Sequence, residues 1–440
     1  MITYELGNSN LTLYEELFEY LKNDILNGTL KGKLPSKRSL ASHLNISITT
    51  VQNAYSELLE QGFIYSIEKK GYYVSKGLTI SRKIKFKQPS TKKDMSKQLK
   101  NLSIPNLETL NFPFATWRKL TQNNSSKFLQ TIPYKGSFEL RSAICNHLNE
   151  YMGLKTTPNL IIIGAGAEYL YMLLVQLLGR DKNYATENPG HIKIRQIYES
   201  MGAKCISLNS LNSENLSGID YLHISPTNHF PTGRTMSIKK RLELIKWADL
   251  SPYNFIIEDN FSSEMKLSGR VISTFKSLNK DKVIYISTFS KTLLPTLRIS
   301  YMILPENLMH KFEEKLSFYS STVPIFEQFT LAEFIEKGYF SRYLNRLKKL
   351  YKTKKNDLLN ELNSPKFSSK IDIKSFDSGS MILLNFNKND NYIRQKANSF
   401  GYTLNFTSDF YYDQKPQKSY ALIDFLSMSS DEISKLIYEI

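Results

Sequence analysis

Lys291 stands in the stretch STFSKTLLPTLRISYMILP (residues 287–305), with Ser287, Thr288 and Ser290 just before it and Arg298 seven positions on. Apolar runs flank it on both sides. A lysine at the end of a buried strand loses solvation, and desolvation lowers the pKa of an amine. The neutral amine is a nucleophile that closes a Schiff base with an aldehyde. Hydroxyls and a guanidinium suit a phosphate, the guanidinium through a fork of two hydrogen bonds. Taken alone, Lys291 also reads as a surface lysine after a strand.

The elements that must position these groups decide between the two readings. LIIIGAG (160–166), IDYLHIS (219–225), NFIIEDN (254–260), KVIYIST (282–288) and ISYMILP (299–305) read as short buried strands, with helical stretches such as AEYLYMLLVQLLG and IKKRLELIKWADL between them. This alternation predicts an α/β domain with a mostly parallel sheet. Ligands of such sheets sit outside the carboxyl ends of the strands. GAGAEYL passes from strand to helix through Gly164 and Gly166, where backbone amides suit an anion or simply make a turn. IIEDN ends a strand with Glu258 and Asp259; a carboxylate there pairs with a cationic ring nitrogen or caps the next segment. An aldehyde, a phosphate and a ring nitrogen on one molecule describe pyridoxal 5'-phosphate. Lys291, Arg298 and Asp259 then have complementary roles.

The first 77 residues read differently. LYEELFEYLKNDIL places Leu13, Phe18, Leu21 and Ile25 near a helical period. Ser36 is placed to cap a helix carrying Leu40 and Leu44, and Ser47 a second one with Val51, Ala54, Tyr55, Leu58 and Leu59 inward. Gly62 ends it, and FIYSI, EKKG and YYVS follow as a β-hairpin. This is the layout of a winged helix-turn-helix. Its second capped helix is expected in the major groove of DNA, with Ser47, Thr49, Thr50, Gln52 and Asn53 toward the bases. Ser36, Lys37, Arg38, Lys69 and Lys70 are placed for phosphates.

Composition agrees. The chain of 440 residues is long enough for two or three domains, and its 41% hydrophobic and 22% charged residues belong to a folded protein. No apolar run approaches the roughly 18 residues of a membrane helix, and Glu15, Glu16 and Glu19 near the start do not suit a signal peptide. Two cysteines, Cys145 and Cys205, make no disulfide framework, so a cytoplasmic location is expected, with no metal. The net charge of +17 points to an anionic partner. Between Lys76 and Lys100 nine basic residues face Asp94 alone, which reads as an exposed linker.

LPSKRSLASHL, VQNAYSELLEQGFIY and KKGYYVS resemble the GntR superfamily of bacterial regulators. FPFATWRKL, ELRSAICNHL, IIIGAGAEYL, ENPGH, SPTNHFPTGRTMS, IIEDNFSSEM and STFSKTLLPTLRISYMILP resemble the fused aminotransferase-like domain of MocR-type regulators. That group includes the GABA-responsive GabR proteins and a PdxR-like branch controlling vitamin B6 synthesis. The resemblance implies a winged helix-turn-helix over residues 1–77 and a basic linker over 78–104. It implies a fold-type I domain over 105–440, parallel-rich, with a smaller C-terminal α/β subdomain from about 330. Lys291 would carry the cofactor, Asp259 would face its ring nitrogen and Arg298 its phosphate. Gly166, Ala167 and Glu168 would surround the phosphate through their backbone, with Thr288 and Ser290 assisting. His191 would stack on the ring, with Asn228 and Phe261 beside it. A homodimer, head-to-tail, is implied as well.

Four positions depart from the pattern. Ile48 stands where the superfamily often has a DNA-contacting arginine. Phe261 replaces a tyrosine that hydrogen-bonds the cofactor's phenolic oxygen, and His191 replaces an aromatic residue. DFLSM (424–428) puts Ser427 where an arginine holds a substrate carboxylate. The expectation is therefore a regulator that senses pyridoxal phosphate itself. The alternatives are one that senses an amino acid or amine by condensing it with bound cofactor, and, least favoured, a working aminotransferase.

Overall fold

The computed structural model describes residues 3–4, 6–7, 11–77, 99–105, 111–124, 126, 129–261, 263–267, 273–368, 370–413, 416 and 418–440. The chain forms two compact units, Met1–Ser96 and Lys97–Ile440. Most of the expected linker (78–98) lies outside the described residues.

In the first unit, helices α1 (Leu13–Leu26), α2 (Lys37–Leu44) and α3 (Ile48–Glu60) precede strands β1 (Ile64–Ile67) and β2 (Gly71–Val74). Ser36 Oγ accepts the Ser39 amide at 3.1 Å, and Ser47 Oγ accepts the Thr50 amide at 3.0 Å. Each cap satisfies a donor the first helical turn leaves open. Asn45, left-handed at φ 55°, closes α2, and the chain turns directly into α3. Leu17, Phe18, Leu21 and Ile25 of α1 pack on Val51, Ala54, Tyr55 and Leu58 of α3. Leu13, expected on that stripe, is exposed, and Leu17 takes its place. β1 and β2 pair antiparallel around a turn at 68–70, where Lys69 has φ 60°.

The second unit is built on β3 (Lys100–Asn101), β4 (Ile161–Ala165), β5 (Asn183–Glu187), β6 (Lys204–Leu208), β7 (Tyr221–Ile224), β8 (Phe255–Asp259), β9 (Val283–Thr288) and β10 (Ile299–Ile303). β11 (Asp372–Ser375), β12 (Met381–Asn385), β13 (Tyr402–Thr403), β14 (Asn405–Phe406) and β15 (Ala421–Asp424) follow. Its helices are α4 (Phe114–Asn123), α5 (Phe138–Met152), α6 (Ala167–Leu178), α7 (Ile192–Ser200), α8 (Ile238–Asp249), α9 (Phe275–Leu278), α10 (Glu306–Leu316), α11 (Ile325–Glu336), α12 (Tyr339–Leu362), α13 (Pro365–Ser368), α14 (Asp390–Ser399) and α15 (Ser430–Glu439).

Seven strands form one sheet in the order β4-β10-β9-β8-β7-β5-β6. All pairs are parallel except those of β10, which runs against both neighbours. The continuous apolar runs are explained by apolar cores on both faces. β5 (NYATE) and β6 (KCISL) escape a search for apolar runs because polar residues interrupt them.

A second, four-stranded antiparallel sheet, β11-β12-β15-β14, lies in the C-terminal part. Ile382, Leu384 and Ile423 join its strands to a core that includes Ile433 and Leu436 of α15. Residues 99–104, placed by the sequence in the linker, belong to this unit together with Pro105. β3 pairs parallel with β13, the Asp424 amide donates to Leu102 O at 2.8 Å, and Ser103 Oγ donates to Leu422 O at 2.9 Å. Among the described residues no helix is long and apolar enough to cross a membrane, and no group of three His, Cys, Asp or Glu is placed to hold a metal.

Candidate cofactor cavity and nucleic-acid face

A cavity of about 570 Å3 opens beyond the strand ends. Its walls include His191, Phe230, Phe261 and Lys291 from the large sheet, and Ser380 and Asp424 from the small one. The two carboxylates ending β8 divide their work. Glu258 turns away and accepts the Phe275 and Lys276 amides, both at 3.0 Å, so it caps α9. Asp259, 4% exposed, accepts the Tyr171 hydroxyl at 2.5 Å, and His223 Nε2 stands 3.5 Å from the same oxygen. Burial, then the Asp259 charge, hold the Tyr171 phenol well above its ordinary value, which keeps it a donor. Tyr198 shares a 2.6 Å hydrogen bond with His223 Nδ1 and fixes that ring. Tyr171, Tyr198 and His223 read in the sequence only as apolar-face residues. Nothing in their spacing marks them as supports of Asp259.

Residues from three elements meet at the start of α6. Gly166 has φ 89°, and a Cβ there would collide with the Arg298 guanidinium. Arg298 is itself left-handed (φ 51°), a conformation that costs a non-glycine residue about 1–2 kcal/mol. That conformation lays its side chain over the strand-to-helix turn. No side chain caps α6, so its first amides face the same space. Ser290 Oγ is buried with no hydrogen-bond partner among the described residues. Thr288 Oγ1 accepts the Ser290 amide at 3.1 Å and shapes the turn. Ser287 Oγ instead donates to Asn260 O and ties β9 to the end of β8. The Glu168 side chain pairs with Arg298 and with Lys193, both at 2.8 Å.

His191 stacks on Phe230, with centroids 3.9 Å apart and planes 7° from parallel, while Phe261 meets it edge-on at 5.7 Å. One imidazole face is therefore taken by a side chain the sequence did not single out. Burial lowers the His191 pKa to about 4, which keeps the ring neutral. Asn228 lines the same cavity. Lys291 departs from expectation in one respect. Its neighbours Phe289 and Leu293 are buried, yet Lys291 itself is exposed, because β9 ends at Thr288 and the chain turns outward. The flanking apolar runs do not desolvate it.

The C-terminal wall needs a larger correction. Ser427 is 1% exposed and lines a separate cavity with Lys100, Lys354 and Glu432. The strand before it, β15, turns Leu422 and Asp424 toward Lys291 instead. Ser427 itself is therefore not among the residues lining this cavity, and no arginine is among those described residues either. Asp424 accepts Ser380 Oγ at 2.5 Å and the Leu426 amide at 2.9 Å. Burial pushes its carboxyl up to about 7. A carboxyl raised above its unfolded value stabilises the fold at low pH, and that contribution is lost as pH rises through about 7. Asp424→Asn should thus gain melting temperature relative to the wild type between about pH 5 and about pH 8. A constant difference across that range would refute the assignment.

In the first unit, Ser36, Arg38, Ser47, Thr49, Gln52, Asn53, Lys69 and Lys70 are exposed, and Lys37 and Thr50 are half-buried. Ser36 and Ser47 act as helix caps, and Lys37 Nζ lies 5.3 Å from the centre of the Tyr72 ring. The outer face of α3 also shows Ile48, 50% exposed, an apolar side chain at the position where the GntR superfamily often has arginine.

The groups around the cavity fit pyridoxal phosphate. Arg298, the open amides of α6 and the orphaned Ser290 hydroxyl suit a phosphate, and the buried, doubly supported Asp259 suits a protonated ring nitrogen.

Residues 13–74 match the bacterial regulatory proteins of the gntR family, and residues 97–400 match aminotransferase class I and II. The HTH-type transcriptional regulator YdeL of Bacillus subtilis is 33% identical over 450 residues, covering 96% of this chain and 95% of its own. The probable rhizopine catabolism regulatory protein MocR of Rhizobium meliloti is 28% identical over 78% of this chain and 76% of its own. The pyridoxine biosynthesis regulator PdxR of Corynebacterium glutamicum is 26% identical over 77% and 76%. In fold, the chain is similar to the kynurenine aminotransferase of Pyrococcus horikoshii. The TM-score is 0.66 at 22% identity, over 78% of this chain and 89% of that one. With a GntR helix-turn-helix ahead of an aminotransferase class I and II domain, the chain belongs to the MocR-type transcriptional regulators.

Proposed function

We propose that this chain takes pyridoxal phosphate itself as its effector, held at Lys291, and controls genes of vitamin B6 synthesis without turning over a substrate. The observation that carries the reading is the content of the cavity. Lys291, His191 and Asn228 line it, Asp259 acts on His191 from beside it, and no arginine is among the described lining residues, Arg298 included. The aldehyde of pyridoxal phosphate supplies the capacity to bond a primary amine. Lys291 would offer that amine, Asp259 would hold the ring-nitrogen proton, and His191 would cover one ring face with Asn228 beside it. Arg298, Thr288, Ser290 and the Gly166–Ala167–Glu168 backbone would receive the phosphate. Phe261 brings no donor to the phenolic oxygen, which weakens the case for transamination. PdxR, named for pyridoxine biosynthesis, is among the relatives and supports the target.

The winged unit would read a DNA operator in the cytoplasm, through Thr49, Thr50, Gln52 and Asn53 at the bases. Lys37, Arg38, Lys69 and Lys70 would meet phosphates, beside the capped helix starts at Ser36 and Ser47. Replacing Lys69 and Lys70 together by alanine should make the salt dependence of operator binding shallower by about 2 in log–log slope for each winged unit on the DNA, with little change in sequence preference. An unchanged slope would remove the wing tip from the interface. A homodimer, head-to-tail, is part of the proposal; self-association is supported by exposed Phe114, Leu129, Phe138 and Phe326 on and beside α4, α5 and α11, where α11 packs on the other two.

The deciding experiment is binding to the DNA upstream of the protein's own gene with and without pyridoxal phosphate. A ligand shifts an equilibrium only by its differential affinity for the two states, so an affinity change of about tenfold or more is expected. Equal affinity would overturn the proposal. A second reading, sensing of an amine through bound cofactor, is favoured by the cavity's volume of about 570 Å3, which leaves room beside a pyridine ring.

A further inference from the structure

Asp424 is the one carboxylate among the described residues lining the Lys291 cavity, and it is 2% exposed. Two partners fix it, the Ser380 hydroxyl on one oxygen and the Leu426 amide on the other. Its strand position is equally fixed, paired with Met381 across β12 and tied through its own amide to Leu102. The cations that could offset its charge are engaged elsewhere or reserved. Lys193 pairs with Glu168, the His229 ring stands 3.6 Å from the half-buried Glu187, and Lys291 is the amine proposed to bond the cofactor. An incoming carboxylate therefore meets a fixed like charge on these walls, and like charges repel. Burial lifts the Asp424 carboxyl to about 7, against the pull of Ser380, Leu426 and Lys291, so it is ionised in mildly alkaline solution.

We propose that Asp424 sets the charge selectivity of this cavity, so that primary amines without a carboxylate reach cofactor held at Lys291 and amino acids are turned away. The inference rests on the proposal above that the cofactor is held at Lys291, and names the ligand class open to the second reading, an amine that meets bound cofactor. The exchange is balanced. The incoming nitrogen bonds the cofactor carbon, the bond from that carbon to Lys291 Nζ breaks, and the two N–H protons of the amine pass to Nζ. No oxidant or further reactant is required.

The test uses full-length protein loaded with pyridoxal phosphate at about pH 8.5, where Asp424 is ionised. It is titrated with n-propylamine, 2-aminobutyrate and 4-aminobutyrate, which differ by one carboxylate. The readout is the absorbance change as the lysine bond is exchanged, corrected for the fraction of free amine. Half-saturation by propylamine is expected at a concentration at least about tenfold below that of either amino acid. Asp424→Asn should bring the ratio toward one, and Asp424→Ser serves if the first variant folds poorly. A wild-type ratio near one overturns the proposal whether or not a variant folds, and so does an unchanged ratio in a folded variant. If no lysine-bound absorbance forms at all, the cofactor reading itself falls, and this inference with it.

Discussion

Replacing Lys291 by alanine is expected to abolish the absorbance of lysine-bound pyridoxal phosphate and to leave operator affinity identical with and without it. The expected loss is complete, since no other lysine among the described lining residues is free of an ion pair: Lys193 is held by Glu168. The change should cost little stability. Lys291 is exposed, and exposed substitutions away from special features typically stay within about 0.5 kcal/mol. Loss of response with an unchanged melting temperature therefore separates ligand bonding from folding. A variant that still responds to pyridoxal phosphate would show that the ligand acts from another place.

Asp259→Asn is expected to weaken pyridoxal phosphate binding about 100-fold, roughly 3 kcal/mol, because a buried cation loses its charged partner. Asparagine keeps the shape and can still accept the Tyr171 hydroxyl, so the fold around β8 should persist. Two measurements check it. A titration gives the affinity, and the absorption maximum should move as the ring nitrogen loses its proton. An affinity loss below about threefold would exclude Asp259 as the ring partner. Glu258 is the internal control: it caps α9 through two amides, so its replacement should lower stability without moving the absorption maximum.

Much of this was legible in the chain because the signals are local. Ser36 and Ser47 announce helix starts within three residues of the amides they satisfy, and buried strands show as apolar runs. The order of Gly166, Asp259, Lys291 and Arg298 along those strands marks a ligand end before any contact is known. What stayed hidden depends on distant contacts. Tyr171 reaches Asp259 across 88 positions, and Ser380 reaches Asp424 across 44. Whether Leu422, Asp424 or Ser427 faces the cavity is a matter of strand register, which an irregular stretch before β15 obscures. Lys291 shows the converse, for apolar neighbours in sequence say nothing of exposure once a strand ends and the chain turns.

The segment 99–105 has a consequence for any occupant of the cavity. The chain enters the second unit at the cavity, because Ile104 and Pro105 are part of the cavity wall and Leu102 and Ser103 are stitched to the strand carrying Asp424. An occupant of the cavity would meet Ile104 and Pro105 themselves, within the stretch stitched to β15.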